Sequence, residues 1–98
     1  METFRSESIR RLCRAMASLT TEEDCARFLE DVCTIKEVQD MAQRLDTAIL
    51  LDKGMNYQAI SRDVGISTAT ISRVSRCLNY GSGGYRKVLD QLNRGEEK

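Results

Sequence analysis

Histidine is absent from the 98 residues, and no two cysteines are spaced as CxxC. Without these residues the usual zinc sites cannot form, and an enzyme would lack the commonest general base. We therefore expect a protein that is not an enzyme and holds no metal or cofactor. The four cysteines are expected to be buried, reduced thiols, because Cys13, Cys25 and Cys33 fall on the apolar faces of predicted helices.

Long apolar runs are also missing, so we expect no membrane span. The amino-terminal stretch METFRSESIRRLCR is too polar and charged for a signal peptide, which makes a cytoplasmic location the default expectation. Apolar and polar residues do not alternate over any useful length, so no strands are predicted. A chain of this length, with 41% hydrophobic residues, is expected to form a single all-helical domain over residues 1–98.

Net charge is zero, but the charges are segregated along the chain. Residues 1–54 carry eight basic and eleven acidic side chains, whereas residues 55–87 carry five basic side chains and the single acid Asp63. The excess of positive charge in the second segment is a weak indication of an anionic partner.

Proline does not occur either, so capping residues and glycines mark the boundaries of six predicted helices. Capping-box patterns at Thr20/Glu23 and Thr34/Glu37 begin the second and third helices, and the third runs to Lys53 and stops at Gly54. The first helix carries the apolar stripe Ile9, Leu12, Cys13 and Met16. The fourth helix is predicted from Tyr57 to Val64 and the fifth from Ser67 or Thr68 to about Asn79. The sixth is predicted from about Gly84 to Leu92, and its inward residues are Tyr85, Val88, Leu89 and Leu92.

The apolar stripe of the third helix, from Ile35 to Leu51, is wider than one short neighbour can cover. A homodimer with a shared core would bury this stripe, since small domains commonly reach sufficient burial in that way. A monomeric bundle with the third helix at its centre is the alternative.

The segment from about residue 57 to 78 has the pattern of a helix-turn-helix. Gly65 can take the positive φ that a tight turn requires. The residues expected at the crowded junction are apolar or small: Ile60, Ser61, Val64, Ile66, Ile71 and Val74.

The outward face of the second helix in this segment is slim and polar, which suits approach to a duplex groove. Hydroxyls can bond base edges or phosphates, methyl groups can contact thymine, and arginine can bond guanine or phosphate. We predict double-stranded DNA as the partner; the alternatives are an ordinary solvated face, or a helical protein-protein interaction module without specific DNA binding. The predicted DNA-binding residues are Gln58, Ser61, Arg62, Ser67, Thr68, Ala69, Thr70, Ser72, Arg73 and Arg76.

With its glycine stop and its T-I-[ST]-R core, the stretch TIKEVQDMAQRLDTAILLDKGMNYQAISRDVGISTATISRVSRCL resembles the bacterial tryptophan-repressor superfamily, in particular its YerC/YecD-type branch. The resemblance runs from about Thr34 to Leu92; the first two helices match in pattern only. It implies an all-α, six-helix fold with a helix-turn-helix, an intertwined homodimer, and a transcription regulator, expected to be a repressor, at a two-fold symmetric operator.

The resemblance also implies an effector site. Tryptophan repressor holds its ligand between two arginines, which correspond here to Arg44 and Arg73, and Thr34 falls where the family has a ligand-contacting threonine. Two positions depart from that pattern: Val74 stands where the tryptophan-binding protein has glycine, and Cys77 stands in place of a serine. The Val74 side chain is expected to fill the ligand space, so tryptophan is disfavoured and the effector, if any, is unknown.

Overall fold

The structure, a computed structural model, describes residues 6–96, and these residues contain six α-helices and no strand. The all-α prediction is therefore confirmed for this part of the chain. The contacts divide the chain into two compact units, the first ending at Val38 and the second beginning at Gln39. The helices are α1 (Glu7–Ala17), α2 (Glu22–Val32), α3 (Ile35–Asp52), α4 (Tyr57–Ile60), α5 (Thr68–Tyr80) and α6 (Gly84–Glu96).

In the first unit the second helix begins one residue later than the sequence pattern indicates. The N-cap is Thr21, whose hydroxyl oxygen accepts a hydrogen bond from the Asp24 amide at 3.0 Å. The predicted cap, Thr20, was wrong. The run of acids from Glu22 to Asp24 then occupies the first turn, where the helix dipole favours negative charge.

The capping box at the start of α3 is confirmed in both directions. The Thr34 amide donates to Glu37 Oε1 at 2.8 Å, and the Glu37 amide donates to Thr34 Oγ1 at 3.1 Å. Two amide donors that the helix itself leaves unpaired are satisfied in this way.

Helices α1 and α2 contain no buried residue. Their apolar side chains lie open or half-open, with Met16 46% and Val32 56% exposed. Within the single chain Cys13 and Cys77 are exposed and Cys25 and Cys33 are half-buried, so the prediction of buried thiols was wrong for the chain taken alone; all four are free. The reason is that an apolar stripe buries its members only where another element covers it.

The second unit has a small core around Ala48 of α3, Val74 of α5 and Leu89 of α6, none more than 3% exposed. Beside it Thr47 is fully buried, and its hydroxyl donates to the Gln43 carbonyl at 2.8 Å, which satisfies the one polar group at that position. The half-buried residues that pack around this core are Leu45, Ile49, Leu51, Leu78 and Tyr85.

Helix α3 ends at Asp52, one residue before the predicted end at Lys53, and Gly54 has a φ of +87°, the left-handed conformation that glycine adopts most readily. Helix α6 begins at Gly84 but extends to Glu96, past the predicted end at Leu92. Of its four predicted inward residues, Leu89 is buried and Tyr85 is half-buried, whereas Val88 and Leu92 are 45% and 43% exposed, so the prediction was right for two.

Within residues 6–96 no helix is both long and apolar enough to span a bilayer. The same residues hold no cluster of three or more His, Cys, Asp or Glu side chains that could bind a metal ion.

Candidate nucleic-acid interface

The first helix of the 57–78 segment is shorter than predicted and continues in a different geometry. Asn56 caps α4 by accepting from the Ala59 amide at 2.8 Å, and the α-helix ends at Ile60. A π-helical turn then runs from Ser61 to Gly65, where the sequence pattern predicted α-helix to Val64. Gly65, with a φ of +82°, makes the turn, so the glycine stands where the backbone requires it.

The junction residues that the pattern selected are the ones the structure buries or half-buries. Ile60 and Ile71 are fully buried and Val74 is 3% exposed, while Val64 and Ile66 are half-buried. These apolar contacts hold α5 against α4 and leave the opposite side of α5 free.

Two side-chain hydrogen bonds organise the start of α5. Ser67 is its N-cap, with Oγ accepting from the Thr70 amide at 3.2 Å and lying 3.0 Å from Thr70 Oγ1. The Ser61 hydroxyl donates to the Ile66 carbonyl at 2.6 Å. Two of the predicted DNA-binding hydroxyls, those of Ser61 and Thr70, are thus already engaged and only half exposed.

Five of the remaining predicted residues lie on α5 and are exposed to solvent, and we call them the α5 surface. They are Thr68, Ala69, Ser72, Arg73 and Arg76. Arg73 and Arg76 have no carboxylate within 4.0 Å among residues 6–96, so neither charge is neutralised by this part of the chain. The other exposed predicted residues are Gln58, Arg62 and Ser67, and Arg62 pairs with Asp63 at 3.2 Å.

Helix α3 contacts the turn through a residue that the sequence pattern did not single out. Gln43 Nε2 donates to the Val64 carbonyl at 3.4 Å. No periodic or capping signal could identify this contact, because it joins residues 21 positions apart.

Gln43 also lines two shallow clefts, one on each side of this contact. The first, about 330 Å³, is lined by Gln43, Asp46, Ile49, Leu50, Asp63 and Val64. The second, about 260 Å³, is polar and is lined by Asp40, Gln43, Arg44, Ile66, Ser67 and Thr70.

Two of the three predicted effector residues, Arg44 and Arg73, belong to the second unit. Arg44 lines the polar cleft, but Arg73 is not among its lining residues. Thr34 belongs to the first unit, where its hydroxyl caps α3. Val74 is buried against the core of the second unit, so its side chain occupies space inside the fold. Partial burial raises the pKa of the neighbouring Tyr85, the nearby Cys77 raises it further, and the positive charge of Arg44 opposes the increase.

A family model described as Trp repressor protein matches residues 7–93. The chain belongs to the Trp repressor family. It is 44% identical over 96 residues to the uncharacterized protein YerC of Bacillus subtilis, a match that covers 98% of this chain and 92% of that protein. The resemblance to this family is thereby confirmed, and it includes α1 and α2, which matched in pattern only.

Two solved structures share the fold of this Trp repressor family member. A TrpR-like protein from Eubacterium eligens superposes with a TM-score of 0.90 at 39% identity, covering 95% of this chain and 96% of the other. A proposed Trp repressor from Staphylococcus aureus gives a TM-score of 0.87 at 39% identity, covering 94% and 92%. The six-helix, tryptophan-repressor-like fold is confirmed by these matches. The individual DNA and effector contacts stay predictions.

Proposed function

We propose that this Trp repressor family member is a homodimeric transcription regulator, acting as a repressor, that binds a two-fold symmetric operator through the 57–78 helix-turn-helix. The observation that carries the proposal is the α5 surface. It presents Thr68, Ala69 and Ser72 beside the arginines Arg73 and Arg76 on a helix whose other side is buried. Small hydroxyl and methyl groups suit base edges, and the guanidinium groups suit phosphates or guanine.

The open apolar stripes of the first unit support the dimer. Helices α1 and α2 contain no buried residue, and Leu12, Met16 and Val32 are 39%, 46% and 56% exposed. Two helices of this kind bury too little surface to be stable by themselves, and a second copy is the economical cover. A dimer places its two copies of α5, the recognition helix of this proposal, about one helical turn, roughly 34 Å, apart along the duplex.

Tryptophan is not the effector in this proposal. Val74 packs with Ala48 and Leu89, so the side chain that follows Arg73 in the sequence belongs to the core of the second unit. Operator binding is therefore expected without added tryptophan.

The test is selection of genomic fragments by the purified protein, with and without free amino acids, followed by affinity measurements at several salt concentrations. We expect enriched fragments to share a two-fold symmetric sequence. The logarithm of the affinity should fall linearly with the logarithm of the salt concentration, because phosphate contacts release counterions. Enrichment of no fragment over a protein-free control, or an affinity indifferent to salt, would contradict the proposal and favour a protein-interaction module.

A further inference from the structure

We propose that Gln43 is a positioning residue for DNA recognition: its amide holds the turn before the recognition helix against α3. This inference rests on the proposed function for its consequence, but the contact itself is a property of the free protein. It assigns a role in the interface to a residue outside the helix-turn-helix.

The carbonyl that Gln43 holds is one that the helix cannot satisfy. The last carbonyls of any helix lack an intrahelical partner, and Val64 lies in the final turn of the π-helical segment, just before Gly65 reverses the backbone. Gln43 Nε2, 3.4 Å away, supplies the donor from α3. The contact is partly buried, so water competes less than it would on an open surface.

A second donor acts on the same turn from within the segment. The Ser61 hydroxyl donates to the Ile66 carbonyl at 2.6 Å, joining the start of the π-helical turn to the residue that leaves it. Ser61 therefore sets the internal shape of the turn, whereas Gln43 sets its place relative to α3. Both contacts affect the start of α5, because Ser67, its N-cap, follows directly after Ile66.

Gln43 lies between the two clefts, so the turn has room to move if its contact with Gln43 is lost. One cleft lies between α3 and the π-helical turn, and the other lies between α3 and the first turn of α5. The space on either side lets the turn shift when the amide hydrogen bond is removed. The core contacts of Ile71 and Val74 would then keep α5 folded while its first turn, carrying Thr68 and Ala69, changes direction. Specific recognition of bases depends on the direction in which the first turn of α5 points, whereas general attraction to phosphates does not.

The first experiment compares Gln43→Met with the control variant Gln39→Met. Gln39 is an exposed glutamine one turn earlier on α3. Methionine keeps the length of the side chain and removes the donor. In the free protein we expect faster amide hydrogen exchange and shifted amide resonances at residues 61–68 for Gln43→Met and not for Gln39→Met. The Tm should be nearly the same in both variants. Equal behaviour of the two variants in this turn would overturn the proposal.

The second experiment uses Gln43→Glu, which adds a pH readout that a merely structural role would not produce. The ionised carboxylate has no donor and faces the Val64 carbonyl, so the turn should be perturbed at pH 7. On acidification towards about pH 4 the protonated carboxyl regains a donor, and the resonances of residues 61–68 should return towards those of the wild type at the same pH. The wild type carries the same charged neighbours in the two clefts, Asp40, Arg44, Asp46 and Asp63, so the comparison isolates residue 43. A perturbation that does not respond to pH, while Gln39→Glu stays silent, would contradict the role of the donor.

The third readout is the ratio of affinities for a selected operator and for unrelated DNA. Gln43→Met should lower operator affinity by about 3- to 10-fold, the usual worth of one hydrogen bond, and leave affinity for unrelated DNA unchanged. Equal losses on both DNAs, or none on either, would overturn the positioning role. If the wild-type protein selects no DNA, the proposed function fails, and the exchange and pH measurements still decide whether Gln43 anchors the turn.

Discussion

Arg86 and Asp52, 34 positions apart, join α6 to the end of α3 through a contact of 2.6 Å between Nη2 and Oδ1. Arg86 also lies 3.6 Å from Asp90 on its own helix, so one guanidinium serves two carboxylates. The hydrogen bond from Arg86 lowers the pKa of Asp52, with slight desolvation opposing and the guanidinium charge adding to the decrease. The pair therefore favours the ionised carboxylate in the folded state.

This lowered pKa predicts a small acid-dependent loss of stability. Because the folded pKa lies below the unfolded value, the contribution is present above about pH 4 and is lost as the pH falls through the folded pKa. Asp52→Asn should lower the Tm by a few degrees at pH 7, since the pair is partly exposed. The gap to the wild type should close on acidification. Thermal melts at several pH values, with Asp46→Asn on the same helix as a control, would measure this; a gap independent of pH would contradict it.

Local sequence rules could predict some features of the fold, but not contacts between distant residues such as Asp52 and Arg86. The box at Thr34 and Glu37 and the turn at Gly65 depend on neighbours within a few residues, and both were predicted correctly. The apolar period likewise selected the buried positions of the 57–78 segment. Contacts between distant residues, such as that of Gln43 with the turn, leave no periodic signal.

Errors of prediction arose where two local solutions compete or where burial depends on a covering element. Thr20 and Thr21 are adjacent threonines that could each cap α2, and the capping-box rule chose the wrong one. The π-helical turn is a variant of helix that periodicity cannot distinguish over five residues. Cys13 lies on an apolar stripe, but nothing in the first unit buries it.

The corrected cap of α2 predicts different effects for two adjacent threonines. Thr21→Ala should cost about 1 kcal/mol of unfolding free energy, because the Asp24 amide loses its acceptor. Thr20→Ala should change it by less than about 0.5 kcal/mol, as at most exposed sites. Urea denaturation of both variants at one protein concentration measures the difference. Equal losses would mean that the cap is shared or misplaced.

The burial of Val74 predicts a core effect that an exposed valine lacks. Val74→Ala removes two methyl groups from contact with Ala48 and Leu89 and should cost about 1–3 kcal/mol. Val88→Ala, the same change at a side chain that is 45% exposed, should cost less than about 1 kcal/mol. Urea midpoints and slopes report both. A loss at Val88 as large as that at Val74 would indicate that another surface covers this face of α6.

The free charges of the α5 surface predict a change in the salt dependence of DNA binding. Arg73→Ala and Arg76→Ala should each weaken binding, and removal of one phosphate contact should reduce the slope of log affinity against log salt by about 1. The fold should be unaffected, since both side chains are exposed. Arg94→Ala, an exposed arginine on α6, is the control and should leave the slope unchanged. Slopes equal to that of the wild type in both α5 variants would place the DNA-binding residues elsewhere.

The open apolar stripe of α1 predicts where the dimer can be disrupted. Leu12 is 39% exposed on the face that also carries Met16, so Leu12→Glu would place a carboxylate in the proposed interface. A buried charge without a partner is strongly unfavourable, and the dimer should dissociate or bind at least tenfold more weakly. Arg14→Gln changes the net charge by the same amount on the polar face and should leave the dimer intact. Sedimentation velocity over a range of concentrations distinguishes the two. A wild-type protein that sediments as a monomer, or a Leu12→Glu variant that remains a dimer, would rule out this face of α1 as the interface.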